Sequence, residues 1–217
     1  MGPKIAYSVR RYRGLKTPLY GEIKNLKQFE PIVLTEVVGK WALRSSKLKI
    51  FSSSSVPWWH FRYRDRFFFR DVLLKNQIRL VRGYMAYSGI KMWPLCEQLN
   101  LPLITSFHGV DVSERPRSPS YLRRLRELFQ KGRIFLVRSK TMRDDVVNLG
   151  CPADKVRVLY GGIDTEEFRF RNRSESRSTR LRILMCGRLT EKKGFAYGMK
   201  AFAKLLKKHA NTELRIV

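Results

Sequence analysis

Residues 181–217 read LRILMCGRLTEKKGFAYGMKAFAKLLKKHANTELRIV, and this stretch decides the fold class. The apolar run LRILMCG predicts a buried parallel strand, and the closing LRIV suits another. Between them, Phe195, Met199, Phe202 and Leu206 recur at helical spacing, with lysines on the opposite face. The pattern predicts the opening of a β-α-β unit.

A basic turn separates that strand from that helix. Arg188, Lys192 and Lys193 crowd a turn that ends at Gly194. The first turn of a helix also offers unpaired N–H groups and the positive end of its dipole to an anion. The turn therefore predicts a phosphate site, although a solvated basic turn could occur on any α/β domain.

The rest of the chain alternates strand and helix patterns. Strand-like runs include KIAYSV at residues 4–9, PIVLTE at 31–36, IRLVRGYM at 78–85 and RIFLVRS at 133–139. Helical patterns include one around residues 22–29, one over residues 90–99 and one over residues 141–149, which is predicted to stop at Gly150. The alternation predicts an α/β fold with a Rossmann-like parallel sheet over residues 1–170. Residues 171–180, RNRSESRSTR, contain no apolar side chain and predict a linker before the beginning of a second domain at 181–217.

Composition limits the classes of partner. The chain of 217 residues is 43% hydrophobic, which is enough for a core, and its net charge of +27 favours nucleic acid, anionic lipid or phosphorylated ligands. Three cysteines without a CxxC pair predict reduced, metal-free thiols. No apolar run reaches the roughly 20 residues of a membrane span, and residues 1–14 lack the apolar stretch of a secretory signal. We therefore expect a cytoplasmic protein.

An aromatic and arginine-rich stretch, WWHFRYRDRFFFR at residues 58–70, has the composition of a membrane-surface segment. Trp58, Trp59, Arg62 and Arg66 are its candidate contacts with an anionic membrane or an acceptor. The alternative is a core helix whose arginines extend to solvent. The first interpretation would place the protein peripherally at the inner face of a membrane.

Four motifs together resemble one enzyme family. They are the stretch from Ala86 to Ser113 with its FHGVD loop, the stretch from Leu136 to Phe168 with its VRSKTMR and GGID motifs, and GRLTEKKG at residues 187–194. In this order they resemble the retaining glycosyltransferases of family 4, which have the GT-B fold, and among these the exopolysaccharide or colanic-acid type. The resemblance covers most of residues 80–217.

The resemblance implies roles for individual residues. It makes His108 the residue that hydrogen-bonds the donor sugar, whereas a lone histidine at a strand end is more often structural. Asp111 could orient an acceptor hydroxyl or cap its own loop. Arg188 and Lys193 correspond to the residues that contact the diphosphate of the nucleotide-sugar, with no bound metal.

Glycines of two loops complete the expected site. Gly109 and Gly162 are expected beside the donor. Gly161 and Gly162 would permit a positive φ and a close ligand approach, or else form a plain tight turn. In open α/β sheets, ligands bind beyond the carboxyl ends of the strands, where these loops fall.

The chain also departs from the family pattern. Arg82 and Tyr84 stand where relatives usually carry a His-x-His pair, and Gly161 replaces the asparagine before Gly-Ile-Asp. The family's Glu-x7-Glu stretch does not occur in residues 181–217. We therefore expect the 217 residues alone not to turn over a sugar nucleotide, and residues 181–217 to expose apolar faces.

Three interpretations of function remain at this point. The first is sugar transfer from a nucleotide-sugar to a glycan or lipid-linked acceptor, with retention, in polysaccharide biosynthesis. The second is a nucleic-acid-binding protein, motivated by the net charge but supported by no RNA- or DNA-binding motif. The third is a membrane-surface module without catalysis. The first and third are compatible.

Overall fold

The computed structural model describes residues 2–13, 17–39, 48–55, 64–170 and 180–217. The chain divides into two compact units, Met1–Gly162 and Ile163–Val217, which are described separately below as the first and second units. The predicted linker lies outside the described residues except for its last position, Arg180. The division at residues 171–180 therefore stays a prediction.

The first unit contains a parallel sheet of seven strands, as the sequence predicted. Its strands lie in the order β3-β2-β1-β4-β5-β6-β7, and every neighbouring pair is parallel. The bounds are Lys4–Tyr12 for β1, Glu30–Val38 for β2, Lys49–Ser52 for β3, Leu80–Tyr84 for β4, Leu103–Ser106 for β5, Ile134–Val137 for β6 and Val156–Val158 for β7.

Six α-helices of the first unit connect these strands within the described residues. They are α1 (Pro18–Lys24), α2 (Arg64–Lys75), α3 (Ala86–Gln98), α4 (Val110–Ser113), α5 (Pro119–Lys131) and α6 (Lys140–Asn148). Phe107, Phe129 and Phe135 pack against one another in the core, with ring centroids 5.3–6.1 Å apart. This aromatic contact holds α5 against the sheet directly beneath the loop that follows β5.

The strand order places a topological switch at the centre of the sheet. From β1 the chain moves outward to β2 and β3, then returns to β4 on the other side of β1. At such a point the loops diverge and leave a crevice beyond the carboxyl ends of the strands. The loop after β5, which carries the FHGVD motif, lies one strand away from this switch.

Close packing of α3 on the sheet depends on two glycines. A Cβ atom on Gly83 would lie 2.7 Å from the backbone nitrogen of Gly89, and one on Gly89 would lie 2.5 Å from Oγ1 of Thr105. Neither position can hold a larger side chain without moving the helix. The two glycines thus fix the depth at which α3 sits against β4 and β5.

Two helix ends of the first unit carry clear stop signals. After α6, Gly150 adopts φ +105° and donates to Val147 O at 2.9 Å, while Cys151 N donates to Val146 O at 3.2 Å. This is a Schellman ending, and it confirms the predicted stop at Gly150. At the end of α5, the ammonium group of Lys155 donates to the carbonyl oxygens of Phe129, Gln130 and Gly132 at 2.8–3.1 Å.

Two sequence-based predictions differ from the structure. The helix predicted around residues 22–29 runs instead over Pro18–Lys24, because Thr17 caps it by accepting from Tyr20 N at 3.3 Å and Pro18 occupies its first turn. Strand β3 was not predicted. It is a short edge strand of four residues that pairs only with β2, and so short a segment carries little periodicity.

The second unit confirms the predicted β-α-β pattern. Strand β8 (Leu181–Met185) pairs in parallel with β9 (Thr212–Ile216), and helix α7 (Phe195–Leu206) connects them. Phe195 is buried, but Met199 and Leu206 are 48% and 38% exposed. The prediction that the first strand is buried was wrong, because Leu181 and Leu184 of β8 are 53% and 64% exposed. The expected exposure of apolar faces is confirmed.

Candidate functional site

The loop after β5 is built around a buried carboxylate. Strand β5 ends at Ser106, Phe107 is fully buried, and Gly109 turns the chain with φ +28° into the single helical turn of α4. The side chain of Asp111 is completely buried and its Oδ2 accepts the backbone N–H of His108 at 3.1 Å. Of the two roles considered from sequence, the structure shows the capping of its own loop.

Burial also changes the acidity of this carboxyl group. Desolvation raises the pKa of Asp111, while the backbone N–H groups of His108 and Ala86 act in the opposite direction. Because Ala86 begins α3 and His108 follows β5, the carboxyl group links two chain segments at the carboxyl edge of the sheet. We expect Asp111 to position His108 rather than to contact substrate.

His108 lies against an aromatic ring and is neutral at pH 7. The centroids of its imidazole and of the Tyr84 ring are 4.6 Å apart, with an interplanar angle of 41°. Burial, together with the charges of Arg138 and Arg82, lowers the pKa of His108 to about 4, although Glu22 acts in the opposite direction. Its Nε2 is buried and has no hydrogen-bond partner among the described residues. The nitrogen of a neutral imidazole can accept a hydrogen bond from a ligand hydroxyl or, if it carries the proton, donate one to it.

A cluster of three charged side chains lies beside His108 and was not predicted. Glu22 Oε1 accepts from Nη2 of Arg138 at 2.6 Å, and its Oε2 lies 2.8 Å from Nη2 of Arg82. Arg82 also donates to Oγ of Ser106 from Nε at 3.3 Å and from Nη2 at 3.1 Å. We call Glu22, Arg82 and Arg138 the charged triad.

One non-glycine residue at this edge has an unusual backbone. Met85, between β4 and α3, adopts φ +107° and donates from its N–H to Ser106 O at 3.1 Å. Such conformations are strained for a residue with a side chain and are frequent at functional sites. Sequence reasoning could not have found this residue, because nothing in its local pattern requires a positive φ.

The second unit carries the basic turn. Residues Glu191–Lys193 form a 3₁₀ turn, Gly194 adopts φ +70°, and α7 begins at Phe195 without a side-chain cap. Arg188 and Lys193 are both exposed. The Lys193 side chain passes beside Gly187, its Cδ lying 3.9 Å from where a Cβ would stand. The structure thus places Lys193 directly before Gly194, the residue that precedes α7, and Arg188 in the loop that follows β8.

A shallow groove of about 340 Å³ opens on the same end of α7. Its lining comes from the turn and from the first two turns of the helix: Leu189, Thr190, Glu191, Phe195, Ala196, Tyr197 and Lys200. Arg188 and Lys193 are not part of this lining. The groove and the predicted phosphate-binding residues therefore lie on neighbouring surfaces of the same turn and do not form a single pocket.

The two glycines of the GGID segment differ from expectation. Neither Gly161 nor Gly162 adopts a positive φ, so the first of the two alternatives considered from sequence does not occur. Both are exposed, and a Cβ at either position would meet no atom within 4 Å in the described residues. Gly109 has the same free space and does have a positive φ.

The aromatic and arginine-rich segment is only partly described. Trp58, Trp59 and Arg62 lie outside the described residues. Arg66 is exposed on α2, and its Nη2 donates to Oε1 of Gln98 at 3.5 Å. Phe69 on the same helix is buried in the core, as are Val72 and Leu73, whereas Phe67 is 67% exposed. The described part of the segment is an amphipathic core helix with an exposed basic and aromatic face.

Some classes of site are not seen in the described parts of the chain. None of the helices there is long and apolar enough to cross a membrane. Over the same residues, no three His, Cys, Asp or Glu side chains gather as metal ligands would. Cys96, Cys151 and Cys186 are unpaired, the first two buried and the third exposed.

The fold and the position of the loops define a class of protein, an α/β protein with a Rossmann-like sheet and a site beyond its carboxyl edge. The family model of "Glycosyltransferase Family 4" matches residues 34–167. The chain belongs to glycosyltransferase family 4, as its motifs predicted.

Curated relatives agree with this assignment. The chain is 35% identical over 98 residues to the amylovoran biosynthesis glycosyltransferase of Erwinia amylovora, an alignment that covers 45% of this chain and 24% of the relative. It is 31% identical over 115 residues to a putative colanic acid biosynthesis glycosyltransferase of Escherichia coli, covering 53% and 28%. The matched region thus spans about a quarter of the length of these relatives.

Solved structures share the fold at low sequence identity. An Anabaena protein in complex with UDP and glucose superposes with a TM-score of 0.73 at 13% identity, covering 99% of this chain and 60% of that one. A lipopolysaccharide outer core galactosyltransferase superposes with a TM-score of 0.65 at 11% identity, covering 98% and 68%. These similarities confirm the predicted GT-B type of architecture.

Proposed function

We propose that this family 4 protein is a glycosyltransferase that moves a sugar from a nucleotide-sugar to a glycan or lipid-linked acceptor in exopolysaccharide biosynthesis. The anomeric configuration would be retained and no metal would be required. The observation that carries the proposal is the FHGVD loop, where a buried aspartate holds a neutral histidine at the carboxyl edge of the sheet. The names of the relatives from Erwinia amylovora and Escherichia coli support the polysaccharide context.

His108 has the chemistry needed to position a sugar. An imidazolium could only donate hydrogen bonds, whereas the neutral ring can accept one at one nitrogen and donate at the other. Its buried Nε2 would lose a solvent hydrogen bond on folding and recover one from a sugar hydroxyl. The Tyr84 ring packs against the imidazole at a tilt of 41° and restricts its orientation before a ligand arrives.

Arg188 and Lys193 would bind the diphosphate of the donor. Lys193 is an exposed cation beside the uncapped start of α7, where the N–H groups and the helix dipole favour an anion, and Arg188 is an exposed cation in the loop before it. Stabilising the charge on a leaving diphosphate would contribute to catalysis without a metal ion. The Anabaena relative in the fold was solved with UDP and glucose, which supports a nucleotide-sugar as donor.

Transfer of a labelled sugar from UDP- and GDP-sugars to a membrane lipid fraction tests the proposal on the full-length product of the gene. We expect His108→Gln to lower kcat/KM by about 10- to 100-fold, the equivalent of one lost hydrogen bond at a buried group. His209→Gln, at an exposed histidine of the second unit, is the matched control and should leave the rate unchanged.

Two further readouts address the finer parts of the proposal. Proton NMR of the first product should show the anomeric configuration of the donor, and EDTA should leave the rate unaltered. Inverted product, or activity abolished by EDTA and restored by Mg²⁺, would contradict retention or metal independence. Equal rates for the wild type and His108→Gln would remove His108 from the site.

A further inference from the structure

The charged triad has a surplus of positive charge at the edge where ligands enter. Two guanidinium groups share the single carboxylate of Glu22. Three neighbouring groups are uncharged at pH 7, because burial lowers the pKa of His108 and raises the pKa of Tyr7 and Tyr84. The charged triad itself carries one more positive charge than negative charge.

The triad is sheltered but accessible. The side chains of Arg82, Arg138 and Glu22 are 14%, 23% and 24% exposed. At this depth, charge interactions are screened less than at an open surface, while a ligand oxygen can still reach the nitrogen atoms. The Tyr7 ring lies 5.5 Å from Cζ of Arg82 and limits the movement of that guanidinium.

The arginines also retain hydrogen-bonding capacity. Each guanidinium carries five N–H donors in a planar fork. Nη1 of Arg138 makes a long contact of 3.5 Å with Leu159 O. Arg138 also hydrogen-bonds the side chain of Tyr84, and Arg82 hydrogen-bonds that of Tyr7. Oε2 of Glu22 is 2.8 Å from Nη2 of Arg82 but is not aligned for a hydrogen bond within the described residues. Pairing with Glu22 therefore satisfies the arginines incompletely.

We propose that Arg82 and Arg138 form a subsite for an anionic group of the acceptor, a carboxylate or a phosphate, and that Glu22 is its built-in competitor. The identification of the ligand as the acceptor rests on the proposed function, but the anion-binding subsite itself does not. Planar arginine forks bind carboxylate and phosphate oxygens in pairs, which gives both charge and orientation. The subsite would hold the anionic group beside His108, and so align a hydroxyl of the same molecule.

Anion binding to the 217-residue chain tests the subsite without any sugar transfer. Sodium D-glucuronate and inorganic phosphate are titrated separately and followed by NMR shifts, with D-glucose as the neutral probe. We expect saturable binding of at least one anion and none of glucose. Tighter glucuronate binding would indicate an acceptor that bears a uronic acid, and tighter phosphate binding would indicate a phosphorylated acceptor.

Three variants give expected changes of different sign. Arg138→Gln should weaken anion binding by about tenfold, the effect of losing a charge-assisted pair. Glu22→Gln should strengthen it, because the competing carboxylate is gone. Arg133→Gln removes the same charge from the other end of β6, just before its first residue, and should leave affinity unchanged.

The signs separate a subsite from a structural ion pair and from the general basicity of the chain. If Arg133→Gln weakened binding as much as Arg138→Gln, or if Glu22→Gln did not strengthen it, the proposal would be wrong. Absence of saturable binding would also overturn it. If Arg138→Gln does not fold, Arg138→Lys keeps the charge without the fork, and unchanged affinity in that variant would contradict paired recognition.

The outcome is independent of the proposed function. Anion binding with the expected signs, but no sugar transfer by the full-length gene product, would leave the subsite standing and remove the glycosyltransferase assignment. Sugar transfer by the full-length gene product without anion binding would remove the subsite and leave the glycosyltransferase assignment standing.

Discussion

The strongest physical prediction concerns the protonation of His108. Folding lowers the pKa of this residue from its ordinary value of 6.5 to about 4, mainly by burial and next by Arg138. A difference of this size corresponds to about 3 kcal/mol between the two protonation states, at 1.36 kcal/mol for each pH unit. Because the folded pKa is depressed, the unfolded chain binds more protons below pH 6.5. The contribution of the neutral imidazole to stability is therefore present above pH 6.5 and is lost as the pH falls towards 4.

Urea unfolding at pH 4–7 measures this contribution. All four tryptophans precede residue 163, so their fluorescence reports on the first unit alone. The wild type should lose up to about 3 kcal/mol more than His108→Gln between pH 7 and pH 4. His209→Gln, the control, should follow the wild type. The imidazole NMR signal of His108 should titrate near pH 4, and a midpoint near 6.5 would refute the reasoning about its burial.

Three further predictions concern stability and surface binding. Lys155→Met should lower the unfolding free energy by about 1.5–3 kcal/mol in urea, because three carbonyl groups at the end of α5 lose a charged donor; a change below about 0.5 kcal/mol would show that water replaces it. Gly89→Ala should cost about 1–3 kcal/mol through overpacking against β5, whereas Gly21→Ala, with free space inside α1, should stabilise by about 0.5–1 kcal/mol. Equal effects of the two changes would contradict the packing argument. Replacement of Arg66 and Phe67 by glutamine and serine should reduce co-sedimentation with anionic liposomes, and unchanged binding would exclude this face of α2 as a membrane contact.

The sequence predicted the elements that carry strong local patterns. Apolar runs such as those of β4 and β6 gave the parallel sheet, and Gly150 gave a helix end, because each depends on neighbours in the chain. The FHGVD loop was placed correctly at a strand end for the same reason. The predicted bounds of helix α1 were wrong because Thr17, as N-cap, and Pro18, in the first turn, set where the helix begins.

The charged triad could not be predicted from local pattern. Glu22 and Arg138 are 116 positions apart and meet only because α1 and β6 converge at the same edge of the sheet. A partial signal was present, since Arg82 lies within β4 and Arg138 directly follows β6. Parallel strands bring such positions to one edge. Which carboxylate would pair with them depends on the path of α1, which the sequence did not fix.

Ligand choice tests the central claim most directly, and calorimetry with the full-length product of the gene can measure it. We predict saturable binding of UDP or GDP and of a nucleotide-sugar, weakened at least about tenfold by Arg188→Ala with Lys193→Ala. The pair Lys207→Ala with Lys208→Ala, at the other end of α7, should have no such effect. Oligonucleotide binding that falls steeply with salt, without any binding of nucleoside diphosphate or nucleotide-sugar, would contradict the account and favour a nucleic-acid-binding protein.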